Sequence, residues 1–164
     1  SGTTYSAFAA EQGTGPKPGS TELLPNIEKV RVERSGTQRW LVVPGTPEKV
    51  WSVMKNRDRR IGVCMDVGHI TGAGFDAGKA FAEYDGRVYD IHLKDKKIEK
   101  AAGKDVIIDV MVGTGAANYK GLLAEMKKAD WKGVMAMETD NGGFAKDPNE
   151  FVEGAIKFIR DNKP

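Results

Sequence analysis

A chain of 164 residues, 40% of them hydrophobic, has the material for one domain with its own core. Its 25 basic and 23 acidic residues leave a net charge of +2, which excludes the basic field of a nucleic-acid binder. No apolar run approaches the roughly 20 residues that cross a bilayer, the N-terminus lacks the charged and apolar regions of a signal peptide, and a single cysteine excludes an internal disulfide.

Residues 1–26 are rich in Gly, Pro, Ser and Thr and show no apolar periodicity, which predicts an irregular, mobile arm. From Ile27 to Arg34 apolar and charged residues alternate, as in an exposed strand; Ser35-Gly36-Thr37 reads as a turn and Arg39–Val43 as a second strand. At Thr46 the pattern changes to strand–helix alternation. Thr46 and Pro47 form a helix start, followed by Val50, Trp51 and Met54 at helical spacing. Ile61 to His69 is an apolar run that predicts a buried strand with Cys64 as an inert interior thiol. Asp76–Tyr84 reads as a helix, Val88–Asp95 as a strand, Lys96–Lys104 as a charged turn and Asp105–Val112 as one arm of a hairpin. Gly113-Thr-Gly115 has the form of a phosphate cradle, although a plain turn into the following helix is the stronger reading. Tyr119–Ala129 is then a helix, Gly133–Asp140 a strand and Pro148–Asp161 an amphipathic closing helix.

The fold class that follows is α/β: a partial TIM barrel, with parallel strands and outer helices, preceded by the irregular arm and strand. About half a barrel is present, since a complete one takes about 250 residues. Both histidines, His69 and His92, fall at the trailing ends of apolar runs, and Asp66 and Glu138 occupy matching places. Strand ends of such a barrel converge on one rim. Asp66, His92 and Glu138 would there form a site for a hard-to-borderline divalent metal. Lys94 and Lys96 are candidates for recognising a phosphate or hydroxyl, against the plainer alternative of solvated loop charges.

Four ordered motifs carry a resemblance: Cys64-Met65-Asp66-Val67-Gly68-His69, Tyr89-Asp90-Ile91-His92-Leu93-Lys94-Asp95, Val112-Gly113-Thr114-Gly115 and Met137-Glu138-Thr139-Asp140. Residues 46–164 resemble the C-terminal half of the xylose-isomerase-like sugar and sugar-phosphate isomerases and epimerases. The resemblance implies a divalent metal (Mn, Mg or Zn) held by Glu, Asp, His and Glu from the last four strands. Three of those roles fall on Asp66, His92 and Glu138. It further implies that His69 contacts sugar oxygens, that Glu138 doubles as acid and base, and that this part of the chain is cytoplasmic. The first Glu has no counterpart, because Arg39–Val43, expected in the slot of the preceding strand, carries no acidic residue. Weak metal binding and little or no turnover follow, since isomerisation between adjacent carbons needs both a base and a stabilised enediolate.

Leu24-Pro25 through Val42-Val43 resembles the start of the first folded domain of BamC-type outer-membrane assembly lipoproteins, and the arm before it is similar to their N-terminal linker. That resemblance implies a periplasmic or outer-membrane setting and a module that binds partner proteins. Pro44–Trp51 suits both families as a splice point, so the chain reads as a chimera: an arm over 1–26, a lipoprotein-like strand segment over 27–45 and a half-barrel over 46–164. Open strand edges and an uncovered inner sheet face, with Val63 and Met65 on it, predict a homo-oligomer.

Overall fold

The computed structural model describes residues 4–9, 31–35, 38–44, 46–138 and 147–163. The first three segments are strands β1 (Thr4–Ala9), β2 (Arg31–Ser35) and β3 (Gln38–Pro44). Helix α1 (Pro47–Met54) begins where expected, with the Thr46 hydroxyl accepting from the Lys49 N–H at 3.4 Å and Pro47 in the first turn. Strand β4 (Ile61–Asp66), helices α2 (Val67–Gly72) and α3 (Ala77–Glu83), and strand β5 (Val88–Leu93) follow. The hairpin β6 (Asp95–Ala101) and β7 (Lys104–Val110), helix α4 (Tyr119–Lys128), strand β8 (Val134–Met137) and helix α5 (Pro148–Asp161) complete the chain.

One six-stranded sheet runs in the order β2-β3-β1-β4-β5-β8, and β6–β7 is a separate hairpin. Strands β4, β5 and β8 are mutually parallel, joined by crossovers that carry α2–α3 and then α4. This is the partial-barrel arrangement that the strand–helix alternation predicts. The core lies between the sheet and the helices: Val63, Met65 and Ile91 pack with Val50, Tyr84 and Leu122. Helices α3 and α4 meet backbone to backbone, since a Cβ on Gly78 would stand 2.8 Å from the Gly121 carbonyl carbon. Arg87, buried behind the sheet, donates to the carbonyls of Met54 (2.6 Å), Asp58 (2.6 Å) and Ile61 (2.7 Å). It thereby fastens the end of α1 to the start of β4.

Five expectations are corrected here. Thr4–Ala9, placed in the irregular arm, is a strand: Thr, Tyr and Phe in Thr-Tyr-Ser-Ala-Phe-Ala favour an extended chain, and the edge of β4 supplies a partner. The remainder of residues 10–26 lies outside the described residues. Consequently the slot beside β4 is filled by β1, antiparallel, with Ser6 opposite Cys64, and the Arg39–Val43 segment lies one strand further out. Lys96–Lys104 is mostly strand, because Ile98 pairs with Ile107 and the turn narrows to Ala102-Gly103, both at positive φ. The strand expected to reach His69 stops at Asp66, whose side chain caps α2. Finally, Val63 and Met65 are only 1% exposed. They face the helices, and side-chain alternation gives the opposite face to Cys64 and Asp66.

Candidate metal centre

Strand geometry alone assembles the site. Cys64 and Asp66 on β4 are in register with Asp90 and His92 on β5, and Leu93 is in register with Met137 on β8. Residues two apart share a face, so these four side chains form a patch at the C-terminal end of the sheet. One further rung, from the Glu138 N–H to the Leu93 carbonyl at 3.3 Å, brings Glu138 beside it. Ligand atoms of Asp66, His92 and Glu138 lie within 4.8 Å of one another.

The carboxylates of this cluster face an imidazole and a buried ammonium. His92 Nδ1 meets Glu138 Oε2 at 2.6 Å, and Lys94 Nζ, 3% exposed, donates to Glu138 Oε1 at 3.1 Å and stands 3.9 Å from Asp66 Oδ2. Asp66 Oδ1 accepts the His69 N–H at 2.7 Å, and its other oxygen is 3.5 Å from His69 Nε2. Burial raises the Asp66 carboxyl above its ordinary value, although His69 and Lys94 pull the other way. Burial also works against a charged Glu138, but Lys94 and His92 outweigh it and hold that carboxyl below its ordinary value. On the far side of the imidazole, Cys64 Sγ lies 3.3 Å from His92 Nε2. Burial, with Asp90, Asp66 and Glu138 nearby, pushes the thiol up to about 12, which fits the inert interior cysteine expected of it.

The predicted residues divide cleanly. Asp66, His92 and Glu138 are brought together, with His69 on α2 and Lys94 on the same patch. Lys96 is not: its ammonium pairs with Asp109 at 2.5 Å on the hairpin. Gly113-Thr-Gly115 is no free cradle either. The N–H groups of Gly113 (3.0 Å), Gly115 (2.9 Å) and Ala117 (3.0 Å) all donate to the carboxylate of Asp95, which is fully buried. The anion in that nest is the chain's own. Sequence reading missed the depth of Lys94, which is 3% exposed beside buried Leu93, with the Tyr119 hydroxyl donating to its carbonyl at 3.0 Å. It also missed the contact of Cys64 with His92, which depends on cross-strand register.

Parallel strands with outer helices, and carboxylates and an imidazole gathered at their C-terminal ends, define part of a TIM barrel. The chain belongs to the xylose isomerase-like TIM barrel family, whose model matches residues 30–162. A xylose isomerase domain protein from Planctomyces limnophilus superposes with a TM-score of 0.61 at 16% identity, over 72% of this chain and 43% of that one. The IolI protein, solved with a zinc atom, gives a TM-score of 0.55 at 21% identity, over 70% of this chain and 42% of that one. Inosose dehydratase of Geobacillus thermodenitrificans is 24% identical over 129 residues, 71% of this chain and 43% of its own. A short N-terminal match is of another kind: outer membrane protein assembly factor BamC of Thiobacillus denitrificans is 53% identical over 53 residues, 32% of this chain. The chain spans 14% of that protein's length and less than half of the barrel relatives. Among the described residues no helix is long and apolar enough to cross a membrane.

Proposed function

We propose that residues 46–164 are the C-terminal half of a divalent-metal-dependent sugar or sugar-phosphate isomerase or epimerase barrel, retaining an incomplete metal site. The reading rests on one observation: ligand atoms of Asp66, His92 and Glu138 lie within 4.8 Å at the ends of three adjacent parallel strands. A carboxylate, an imidazole and a carboxylate suit zinc, or weakly manganese or magnesium, with water completing the shell. A bound ion would supply Lewis-acid stabilisation of an enediolate oxygen. Glu138 would move the proton, His69 would touch the sugar oxygens, and Lys94 would hold Glu138 charged and in place. A fourth acidic ligand has no source in β1 (Thr-Tyr-Ser-Ala-Phe-Ala) or β3 (Gln-Arg-Trp-Leu-Val-Val-Pro). Turnover is therefore little or none, because a loss of a few kcal/mol in transition-state stabilisation is a hundredfold or more in rate. Calorimetric titration with Zn²⁺ and Mn²⁺ should find weak binding that Asp66→Asn diminishes, together with no conversion of an aldose or ketose. Tight Mn²⁺ binding with epimerase turnover would overturn this account.

A second reading is favoured by the 53% identity to BamC over 53 residues. In it the chain is a chimera whose first 45 residues are an envelope-assembly segment that binds partner proteins, with a periplasmic or outer-membrane location. Retention of the chain on a purified outer-membrane assembly complex, lost on deleting residues 1–45, would support it. Assembly of copies belongs to either reading. Val134, 64% exposed, and Met135 lie on β8, the last strand of the sheet, and an open apolar edge invites pairing with a second chain. Sedimentation of a folded monomer at micromolar concentration would dismiss the oligomer.

A further inference from the structure

The imidazole of His92 has two faces, and the cluster just described uses only one of them. Its Nε2 points to a second group of ligand types: Cys64 Sγ, a carboxylate oxygen of Asp90 and a ring nitrogen of His92 lie within 4.8 Å of one another. The register explains the grouping. Cys64 pairs directly with Asp90 across the β4–β5 ladder, and Asp90 and His92 are two apart on one strand. Two further observations mark this group as more than proximity. Asp90 Oδ1 is buried and has no hydrogen-bond partner among the described residues, an arrangement that costs free energy unless something occupies it. The other imidazole nitrogen, Nδ1, is held by the Glu138 carboxylate at 2.6 Å. A carboxylate accepts, so Nδ1 is the donating nitrogen, and the neutral ring then presents its Nε2 lone pair to Cys64 and Asp90.

We infer that Cys64, Asp90 and His92 form a second cation site, below the rim, which takes a thiophilic divalent ion such as Zn²⁺ through sulfur, oxygen and nitrogen. Three protein ligands of these types with one water make an ordinary tetrahedral zinc shell. Glu138 then serves as the outer carboxylate that fixes the tautomer of a metal-bound histidine. On binding, the Cys64 thiol loses its proton to solvent and its sulfur bonds the ion; no electrons change hands. The rim site makes the opposite demand on the ring, with Glu138 as a ligand in its own right. His92 thus belongs to both sites, and its tautomer decides between them.

Cobalt is the probe, because a thiolate bound to Co²⁺ gives a near-ultraviolet charge-transfer band that carboxylate and imidazole ligands do not. The full chain titrated with Co²⁺ should develop that band, and Zn²⁺ should abolish it. Cys64→Ser should remove the band. Asp90→Asn should weaken the affinity by about tenfold or more, the scale on which loss of even an outer partner acts. Asp66→Asn, which breaks only the rim site, should leave both the band and its displacement by Zn²⁺ in place; loss of the band in Asp66→Asn would mean that the two sites are one. Absence of a thiolate band at saturating Co²⁺ would refute the site, as would a band unaffected by Asp90→Asn. Circular dichroism of each variant guards against misfolding, and Asp90→Asn, at a part-exposed position, supplies the decisive result if Cys64→Ser fails to fold.

Discussion

Asp95 and Asp66 are both acidic residues near parallel strand ends, yet they are treated in opposite ways. The Asp95 carboxylate is wrapped by the backbone N–H groups of Lys96, Gly113, Gly115 and Ala117 and is fully buried. Its hydrogen-bonding capacity is consumed in tying the β5 end to the loop before α4. Asp66 gives one oxygen to the cap of α2, while the other faces Lys94 and His69 at 3.9 and 3.5 Å, longer than hydrogen bonds. The first carboxylate is structural because nothing is left to bind. The second retains an oxygen for a ligand, in the company of a histidine and another carboxylate.

The contrast is open to direct attack. Asp95→Ala strands several buried donors at once and should cost about 3–5 kcal/mol in urea unfolding, near the upper end for single substitutions. Lys94→Met removes the ammonium that Asp66 and Glu138 share. Part of Glu138 is exposed, so the loss should be smaller, about 2–3 kcal/mol. If Lys94→Met proves the more damaging of the two, the rim cluster is the structural region and the contrast inverts.

Acid titration sharpens the comparison within the rim. Glu138 has its folded value depressed, so its contribution is fully present above its ordinary 4.5 and fades as pH falls through the folded value. Asp66 is raised, so its contribution is fully present below its ordinary 3.8 and is lost as pH climbs through the folded value. Stability should therefore rise more steeply with pH in Asp66→Asn than in the parent, and less steeply in Glu138→Gln. Parallel slopes in all three chains would mean that the two carboxylates are not held differently. The smallest effect belongs to Asp76, which caps α3 through the Lys79 N–H and accepts from Asn118, the cap of α4, both at 2.8 Å. Asp76→Ala should cost about 1 kcal/mol in thermal unfolding, the ordinary worth of a surface cap.

Much of the rim was legible in the sequence because parallel strands bring trailing ends together whatever lies between them; Asp66, His92 and Glu138 needed only that rule. Helix starts were legible at Thr46 and Pro148, where cap chemistry is local. What escaped depended on partners. Thr4–Ala9 becomes a strand through the edge it pairs with, and Lys96 is drawn away from the rim because Asp109 on the opposite arm of its hairpin receives it. The pairing of Cys64 with Asp90 follows a register shift between Val63 and Cys64, and a one-residue slip of that kind leaves no mark in either strand's own alternation.

The contact of Gly78 with Gly121 has a consequence for the rim, far from where it occurs. Helix α3 belongs to the crossover from β4 to β5, and α4 to the crossover from β5 to β8. A side chain at 78 would act as a shim between these two units, because what it meets is backbone, at 2.8 Å from Gly121 and 3.0 Å from Leu122, and backbone cannot rotate aside. The spacing of the outer helices is thus machined to zero tolerance at one point. Any widening there would be borne by the two crossovers that connect the strands leading to Asp66, His92 and Glu138.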